Sequence, residues 1–346
     1  MSLRIAINGY GRIGRCFLRA FHEAGAPGDI AIVAINEPAA DLAAMAYLTR
    51  FDSTHGRFPL PVEAGKACLR VGPCDIPVFH GETPAEVPWR DLDVDILLDC
   101  SGRYSRRDEL EAFIEAGCRR VLLSNPGHGA EDVDATIVVG ANEQLLTGRE
   151  RIVSAASCTT NAIVPILQLL ERRYGLEQVL TTTLHSVMND QPLIDGYHHA
   201  DLRRTRSAMQ SMIPVATGLA RGIERLLPEL AGRVQARAVR VPVANVSAID
   251  LVATLASPAG AADINALMAR AAAERPQLLA YSDEPHASID FNHSPQSAIV
   301  DGGQTRTGGA RVAGLLLWFD NEWGFVNRML DLLRLWPPRE LPAGPV

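Results

Sequence analysis

The sequence predicts an α/β protein, in which a Rossmann-type, doubly wound parallel sheet is followed by an α+β domain with a mixed or antiparallel sheet. In the first half, short apolar runs alternate with amphipathic stretches of helical period, as in parallel strands joined by helices. In the second half, apolar and alternating runs predict strands over residues 179–184, 234–240, 248–255 and 313–318. The chain has 346 residues, enough for about two domains.

The composition is that of an ordinary globular protein. It is 47% hydrophobic and 21% charged, and the net charge of −7 argues against a dedicated nucleic-acid or anionic-membrane binder. The six cysteines are scattered singly, which predicts reduced thiols and no metal site. Because neither a secretory leader nor a long apolar run is recognisable, we expect a cytoplasmic protein.

A glycine-rich turn follows the first predicted strand, residues 3–7. Gly9, Gly11 and Gly14 have Gly-x-Gly-x-x-Gly spacing and precede an amphipathic stretch. The first glycine permits a tight turn, the second lets a pyrophosphate approach the backbone, and the third lets helix and strand pack closely. The amides of Arg12 and Ile13 then point at phosphate. The turn predicts a dinucleotide site, although a tight turn without ligand has the same spacing.

An acidic residue at the end of the second predicted strand strengthens this interpretation. Glu37 follows the apolar run 30–35 and lies roughly 20 residues beyond Gly14, where such sites place the acid that binds the ribose hydroxyls. Its carboxylate would repel a 2′-phosphate, and no arginine follows to receive one. We therefore predict NAD rather than NADP.

Two further predicted strands, residues 95–100 and 120–124, continue the parallel sheet. Ligands bind such sheets at the carboxyl ends of the strands, where Ser101, Ser124 and the loop before Cys158 can converge. We predict Ser124 as a cofactor contact, and a loop cap is the alternative for both serines.

Cys158 stands at the predicted start of a helix, between an apolar run ending at Val153 and the helical spacing of residues 163–170. The helix dipole and the first amides favour a thiolate there, so we expect a nucleophile with a lowered pKa. A small buried apolar residue is the alternative. His185 ends the β-branched strand 179–184 and is the candidate general base, although a solitary histidine is usually structural.

Residues 189–218 have no clean period and predict a long functional loop. The loop carries Arg203, Arg204 and Arg206, and Thr217-Gly218 near its end. Arginines with amides and hydroxyls suit a phosphate-bearing substrate, and a solvated basic face is the alternative. A final helix is predicted over residues 326–335, followed by a frayed tail.

Together these residues resemble the glyceraldehyde-3-phosphate dehydrogenase superfamily over essentially the whole chain. The resemblance is carried by Asn-Gly-Tyr-Gly-Arg-Ile-Gly-Arg from residue 8, Ser-Cys-Thr-Thr-Asn from residue 157, His185-Ser186, Arg240-Val241-Pro242 and Asp320-Asn321-Glu322-Trp323-Gly324. It implies an NAD-binding domain of residues 1–157, completed by a C-terminal helix at 322–346, and a catalytic domain of residues 158–321. It also implies a homotetramer in which the long loop lies against a neighbouring subunit's NAD.

The resemblance implies a role for each site residue. Cys158 would be the nucleophile and His185 its base, while Asn321 would contact the nicotinamide carboxamide. The residues implied to bind substrate oxygens are Ser157, Thr159, Asp190, Arg204, Thr217, Gly218 and Arg240.

Within the superfamily the chain is most similar to the members that oxidise D-erythrose 4-phosphate. The similar segments are residues 185–191, 201–206 and 291–295, and Met188 carries most of the likeness because triose-specific members usually have a threonine there. This implies oxidation of a sugar-phosphate aldehyde through a cysteine thioester. Phosphorylating triose-phosphate oxidation, and an NAD-binding protein with a mainly interaction role, are the alternatives.

Overall fold

The computed structural model describes residues 2–198 and 201–336. In these ranges the chain forms two compact units: an N-terminal unit of residues 2–157 with 326–336, and a C-terminal unit of residues 158–325. Residues 337–346, which we assigned to the completing helix and the frayed tail, lie outside the described residues. No described helix combines the length and apolar character needed to cross a membrane.

The N-terminal unit is built on a sheet in the order β10-β11-β9-β8-β1-β2-β7-β6-β5, with a separate β3–β4 pair. The elements are β1 (Leu3–Asn8), α1 (Arg12–Glu23), β2 (Ile30–Asn36), α2 (Leu42–Arg50), β3 (Phe51–Asp52), β4 (Gly56–Arg57), β5 (Val62–Ala64), β6 (Cys68–Val71), β7 (Cys74–Phe79), β8 (Ile96–Asp99), α3 (Arg107–Glu115), β9 (Arg120–Leu123), β10 (Ala135–Thr136) and β11 (Ile152–Ser154), with short 3₁₀ turns at Pro84–Glu86 and Glu143–Leu145.

In the order across the sheet, the seven neighbouring strands β10-β11-β9-β8-β1-β2-β7 are all parallel, as predicted. The chain runs from β1 outward to β2 and β7 and then returns to β8 on the other side of β1. A ligand crevice opens at the carboxyl ends of strands where such a reversal occurs. The core behind these strands includes Trp89 and Phe113, both essentially fully buried.

The C-terminal unit holds a mixed, mostly antiparallel sheet in the order β13-β14-β12-β15-β18-β17-β16, again as predicted. The elements are α4 (Cys158–Tyr174), β12 (Leu176–His185), β13 (Ile213–Val215), α5 (Leu219–Leu226), β14 (Val234–Arg240), β15 (Ser247–Leu255), α6 (Ala261–Glu274), β16 (Leu279–Ser282), β17 (Ala298–Gly308) and β18 (Val312–Phe319), with 3₁₀ turns at Leu202–Thr205, Pro228–Leu230 and Ser288–Phe291; α7 (Trp323–Leu335) follows.

Two predicted element boundaries were wrong. The segment 189–218 is not all loop, because it contains a 3₁₀ turn and β13, which pairs with β14. The last helix begins at Trp323 rather than Val326, because Asp320 Oδ1 accepts the amides of Glu322 and Trp323 and so caps the helix earlier.

Candidate active site

The three glycines of the first turn occupy three different environments in the N-terminal unit. Gly9 has φ +87°, and a Cβ on it would lie 2.5 Å from the Ser101 backbone. A Cβ on Gly14 would overlap the carbonyl oxygen of Gly9, whereas beyond its chain neighbours no atom of the described residues lies within 4 Å of a Cβ on Gly11. The space in front of Gly11 is therefore open, as the approach of a pyrophosphate requires.

The start of α1 faces this space without a capping side chain, since Gly11 is the N-cap residue. Among the described residues, the amides of Ile13 and Gly14 have no hydrogen-bond acceptor. Arg12, the first helical residue, directs its guanidinium at Asp52. Unpaired amides at the positive end of a helix dipole fit a phosphate group, and this fit is what a dinucleotide cofactor needs.

Glu37 lies directly after β2, and backbone amides hold its carboxylate. Oε2 accepts the N–H of Tyr10 at 2.7 Å, and Oε1 accepts the N–H of Ala39 at 2.9 Å. Each carboxylate oxygen has a second lone pair, so both can still accept from ribose hydroxyls. Ser124 follows β9, where its amide donates to the Asp99 carbonyl at 3.0 Å and its side chain bonds to Cys100.

A buried polar network that sequence reasoning missed lies at the carboxyl ends of these strands. Asn36 Nδ2 donates to Asn8 Oδ1, and Asn8 Nδ2 donates to Asp99 Oδ1, each at 2.8 Å. Burial raises the pKa of Asp99 despite these hydrogen bonds. The network joins the carboxyl ends of β2, β1 and β8, and so fixes the strands from which the glycine turn and Glu37 project.

In the C-terminal unit, polar residues lie at neighbouring strand ends along one edge of the sheet. β12 ends at His185 and the parallel β14 ends at Arg240, and these two residues are paired in register. Antiparallel β15 begins at Ser247, which pairs with the last residue of β18, and Asn321 follows two residues later. The side chains of His185, Arg240 and Asn321 were predicted as site residues, and this register brings their strand ends together.

Cys158 and His185 are in contact in this unit. Sγ of Cys158 lies 3.6 Å from Nε2 of His185, whose Nδ1 lies 2.9 Å from the carbonyl oxygen of Ser186. That carbonyl can only accept, so Nδ1 carries the proton and Nε2 is left with a lone pair toward the sulfur. Burial and the charge of Arg240 lower the pKa of His185 to about 4. The imidazole is therefore neutral at physiological pH and able to take a proton from the thiol.

The expectation of a lowered thiol pKa was wrong. Cys158 is the first residue of α4, as predicted, but burial raises the pKa of its thiol. The hydrogen bonds of Thr159 and the charge of Arg240 oppose this shift without cancelling it. The pair therefore rests as neutral thiol and neutral imidazole, and a sulfur nucleophile here would form only as His185 removes the proton.

Two arginines and one carboxylate surround the pair. Burial lowers the pKa of Arg240, whose guanidinium interacts electrostatically with Cys158, Asp190 and Arg204. Arg204 Nη1 donates to Asp190 Oδ2 at 3.0 Å. Arg240 Nη1 is buried and has no hydrogen-bond partner among the described residues. A buried guanidinium nitrogen without a partner is costly to maintain, and an anionic ligand would satisfy it.

The remaining predicted substrate residues lie at helix starts. Thr159 Oγ1 is 3.9 Å from the Cys158 sulfur, and Ser157 directly precedes that cysteine. Gly218 is the N-cap of α5, and Thr217 Oγ1 accepts the amide of Leu219 at 3.2 Å. The start of α5 therefore offers amides and a hydroxyl of the kind that bind phosphate.

Two family models match the chain, and together they cover most of it. The NAD binding domain of glyceraldehyde 3-phosphate dehydrogenase matches residues 3–107, and the C-terminal domain of the same enzyme matches residues 157–321. The chain belongs to the glyceraldehyde-3-phosphate dehydrogenase family. It is an NAD-dependent aldehyde dehydrogenase of that type, and the substrates of the family are sugar phosphates. The open glycine turn and the uncapped start of α1 fit NAD in the N-terminal unit of this dehydrogenase.

Proposed function

We propose that this dehydrogenase oxidises D-erythrose 4-phosphate to 4-phosphoerythronate, with Cys158 as the nucleophile and His185 as its general base. The side chain of Met188 carries the choice of substrate. It stands three residues after His185, where triose-specific relatives usually have threonine, and it is 45% exposed. A thioether cannot donate a hydrogen bond to phosphate, so the phosphate of the substrate must bind elsewhere, as that of a longer sugar would.

The chemistry follows from the neutral Cys158–His185 pair. As the sulfur attacks the aldehyde carbon, His185 Nε2 takes the thiol proton, and the amide of Cys158 together with the imidazolium stabilises the new oxyanion. The oxyanion is protonated to a hemithioacetal, and His185 later removes that hydroxyl proton. Bound NAD supplies the hydride acceptor that makes this step an oxidation. The resulting thioester is hydrolysed by water, which returns the thiol.

The charged and hydroxylic residues around the pair would hold the substrate. The buried, unpartnered Nη1 of Arg240 is the strongest candidate for a phosphate contact. Arg204, oriented by Asp190, and the start of α5 at Thr217 and Gly218 would complete it, with Ser157 and Thr159 beside the sulfur. The Asp190 carboxylate would also accept hydrogen bonds from sugar hydroxyls.

The proposed cofactor contacts extend from the glycine turn, at the pyrophosphate, to Asn321, at the nicotinamide. Gly9, Gly11, Arg12, Ile13 and Gly14 would hold the pyrophosphate, and Glu37 would hold the ribose hydroxyls. Ser124 would lie beside the cofactor, and Asn321 would donate to the nicotinamide carboxamide. We assign residues 1–157 and the C-terminal helix to the NAD-binding domain and residues 158–321 to the catalytic domain.

Steady-state kinetics with two aldehydes tests the proposal. We expect kcat/KM to be higher for erythrose 4-phosphate than for glyceraldehyde 3-phosphate, and turnover not to require inorganic phosphate. Met188→Thr should shift the ratio toward the triose, and Met188→Leu, which also lacks a donor, is the matched control. If the wild-type protein prefers the triose phosphate and needs phosphate, the proposed substrate is wrong.

Phosphorylating oxidation of glyceraldehyde 3-phosphate is the second candidate. The guanidinium of Arg240, with its buried Nη1, and the start of α5 are two separate groups that could each bind an anion, and this reaction needs two phosphates. A mainly interaction role is the third candidate, and Cys158→Ser tests it. Full retention of the biological role by a Cys158→Ser protein that lacks dehydrogenase activity would favour that role.

We also propose a homotetramer. Apolar side chains in the long segment support it, because Leu193, Ile194, Tyr197 and Leu202 are each more than 70% exposed. Clusters of exposed large apolar residues commonly mark protein–protein contacts. In this arrangement the segment would lie against a neighbouring subunit's NAD.

A further inference from the structure

Ser186 uses all three of its polar groups at the edge of the proposed active site. Its carbonyl accepts the Nδ1–H of His185 at 2.9 Å, and its amide donates to Ser247 Oγ at 3.1 Å. Its hydroxyl donates to Asn321 Oδ1 at 3.0 Å. Ser186 has no exposed surface, so these bonds do not compete with bulk water. One buried residue thus joins the proposed base to the proposed nicotinamide contact.

Both hydroxyls of this network donate to the same acceptor. Ser247 Oγ accepts the amide of Ser186 and donates its single proton to Asn321 Oδ1, 2.8 Å away. Two hydroxyl protons therefore meet at one amide oxygen and occupy both of its lone pairs. Rotation of the amide by 180° would turn its NH₂ group toward the two serine oxygens and leave both buried hydroxyl protons without this acceptor. The network therefore selects one of the two orientations of the Asn321 side chain.

Selecting this orientation leaves the Asn321 NH₂ group available. Asn321 Nδ2 has no hydrogen-bond partner among the described residues, although the residue is only 9% exposed. A carboxamide oxygen is an acceptor of the right kind for such a donor. We propose that Ser186 and Ser247 are positioning residues, which fix the Asn321 NH₂ group as the donor to the nicotinamide carboxamide. This inference rests on the proposed function of Asn321.

The backbone next to the network adopts an unfavourable conformation at one residue and is held by buried hydrogen bonds at another. Val246, directly before Ser247, has φ +67°, a left-handed conformation that is unfavourable for a β-branched residue. Directly before Asn321, Asp320 Oδ2 accepts the Asn245 side chain at 2.8 Å and the His293 amide at 2.7 Å. Both Ser247 and Asn321 are therefore presented from segments whose conformation is set by buried contacts, as a positioning role requires.

Calorimetric binding of two ligands separates positioning from general damage. NAD and ADP-ribose share the adenosine, the pyrophosphate and the second ribose, but only NAD carries the nicotinamide. We expect Ser186→Ala and Ser247→Ala each to weaken NAD binding about fivefold, the value of one ordinary hydrogen bond, and to leave ADP-ribose binding within about twofold. Ser282→Ala, which removes a hydroxyl at β16, is the matched control and should change neither ligand.

The variant Asn321→Ala distinguishes a failure of the positioning role of the serines from a failure of the proposed role of Asn321. Asn321→Ala should also weaken NAD binding without affecting ADP-ribose, and Ser186→Ala should add nothing in the Asn321→Ala background. The Ser186 carbonyl stays in Ser186→Ala, so alkylation of Cys158 by iodoacetamide should keep the wild-type rate, which a disturbed active site would not. If Asn321→Ala selectively weakens NAD binding and the serine variants do not, positioning is disproved and the proposed role of Asn321 stands. If Asn321→Ala affects both ligands equally or neither, the proposed role of Asn321 and this inference both fail.

Discussion

Among single residues, the glycines of the first turn show how one motif meets three separate demands. Gly9 satisfies a left-handed backbone and a close approach to Ser101, and Gly14 lies against the carbonyl oxygen of Gly9. Gly11 meets neither demand, since its surroundings within the protein are open. We therefore expect the first and third glycines to be needed for folding, and the second to be needed only where a phosphate approaches.

This division predicts different effects for three alanine substitutions. Gly9→Ala and Gly14→Ala should lower the free energy of unfolding by more than about 1 kcal/mol, because each introduces overlap with backbone atoms. Gly11→Ala should leave the free energy of unfolding unchanged or slightly higher and weaken NAD binding more than about tenfold. Thermal unfolding and calorimetry measure the two effects. A Gly11→Ala protein that binds NAD normally would show that the pyrophosphate does not approach this residue.

The Cys158–His185 pair has one property that local sequence predicts and others that it does not. The position of Cys158 at a helix start is a local property and was predictable from the apolar spacing that follows it. Its pKa depends instead on burial by segments distant in the sequence, and burial outweighs the stabilisation expected from the helix. The pairing with His185 could be suggested only because a histidine ended a predicted strand. The tautomer of His185 depends on the backbone carbonyl of Ser186, a group that every residue has and that therefore leaves no signal in the sequence.

Among elements, the strand ends of the C-terminal unit matter most. Strands β12, β14, β15 and β18 were recognisable from alternation, but their neighbours in the sheet were not, because pairing joins residues far apart in the chain. The hydroxyls of Ser186 and Ser247 therefore carried no signal in the sequence. β13 escaped prediction for a related reason. It has three residues and includes Pro214, and its strand conformation depends on pairing with β14.

The Asp320 carboxylate sets the junction between β18 and α7. It is 1% exposed and accepts four N–H groups, from Asn245, His293, Glu322 and Trp323. Asp320→Ala should therefore lower the free energy of unfolding by about 3 kcal/mol or more, because several buried donors lose their acceptor.

A second carboxylate is the control for this prediction. Asp263 is exposed, and among the described residues its carboxylate accepts a single N–H, the amide of Gly260 before α6, at 3.0 Å. Asp263→Ala should cost about 1 kcal/mol. Urea unfolding of both variants measures the difference. Equal losses would mean that the buried network around Asp320 contributes no more than one exposed helix cap.

For the whole molecule, assembly is the first property to test. Light scattering should give the mass of a tetramer for the wild-type protein. Ile194→Asp places a charge on a side chain that is 78% exposed in the single chain, so it should leave the fold intact and reduce the measured mass. Circular dichroism checks the fold. A monomeric wild-type protein would contradict the proposed assembly. An Ile194→Asp protein with the mass of the wild-type assembly would contradict the role of this surface.

Acid should weaken the fold through His185. Its pKa of about 4 lies below the ordinary 6.5, so the unfolded chain binds a proton at a higher pH than the folded one. The contribution to stability is complete above pH 6.5 and is lost as the pH falls toward 4, by about 2 kcal/mol between pH 7.5 and 5. Burial lowers the pKa of His22 as well, which adds a loss in the same direction.

The variant His185→Gln isolates this contribution. Urea unfolding at pH 7.5 and pH 5 should show a smaller loss of stability on acidification in His185→Gln than in the wild-type protein. His22→Gln, in the other unit, is the comparison. The same pH dependence in wild type and His185→Gln would show that the imidazole is not buried in its neutral form.

The uncapped start of α1 also links the supply of cofactor to the lifetime of the protein. The amides of Ile13 and Gly14 have no acceptor within the described chain, so a bound phosphate would supply the cap that no side chain provides. At a free NAD concentration one hundred times the dissociation constant, binding adds about 2.7 kcal/mol to stability. The fraction of unfolded chains falls about a hundredfold, and with it the supply of substrate to proteases. A cell depleted of NAD would therefore lose molecules of this enzyme as well as turnover.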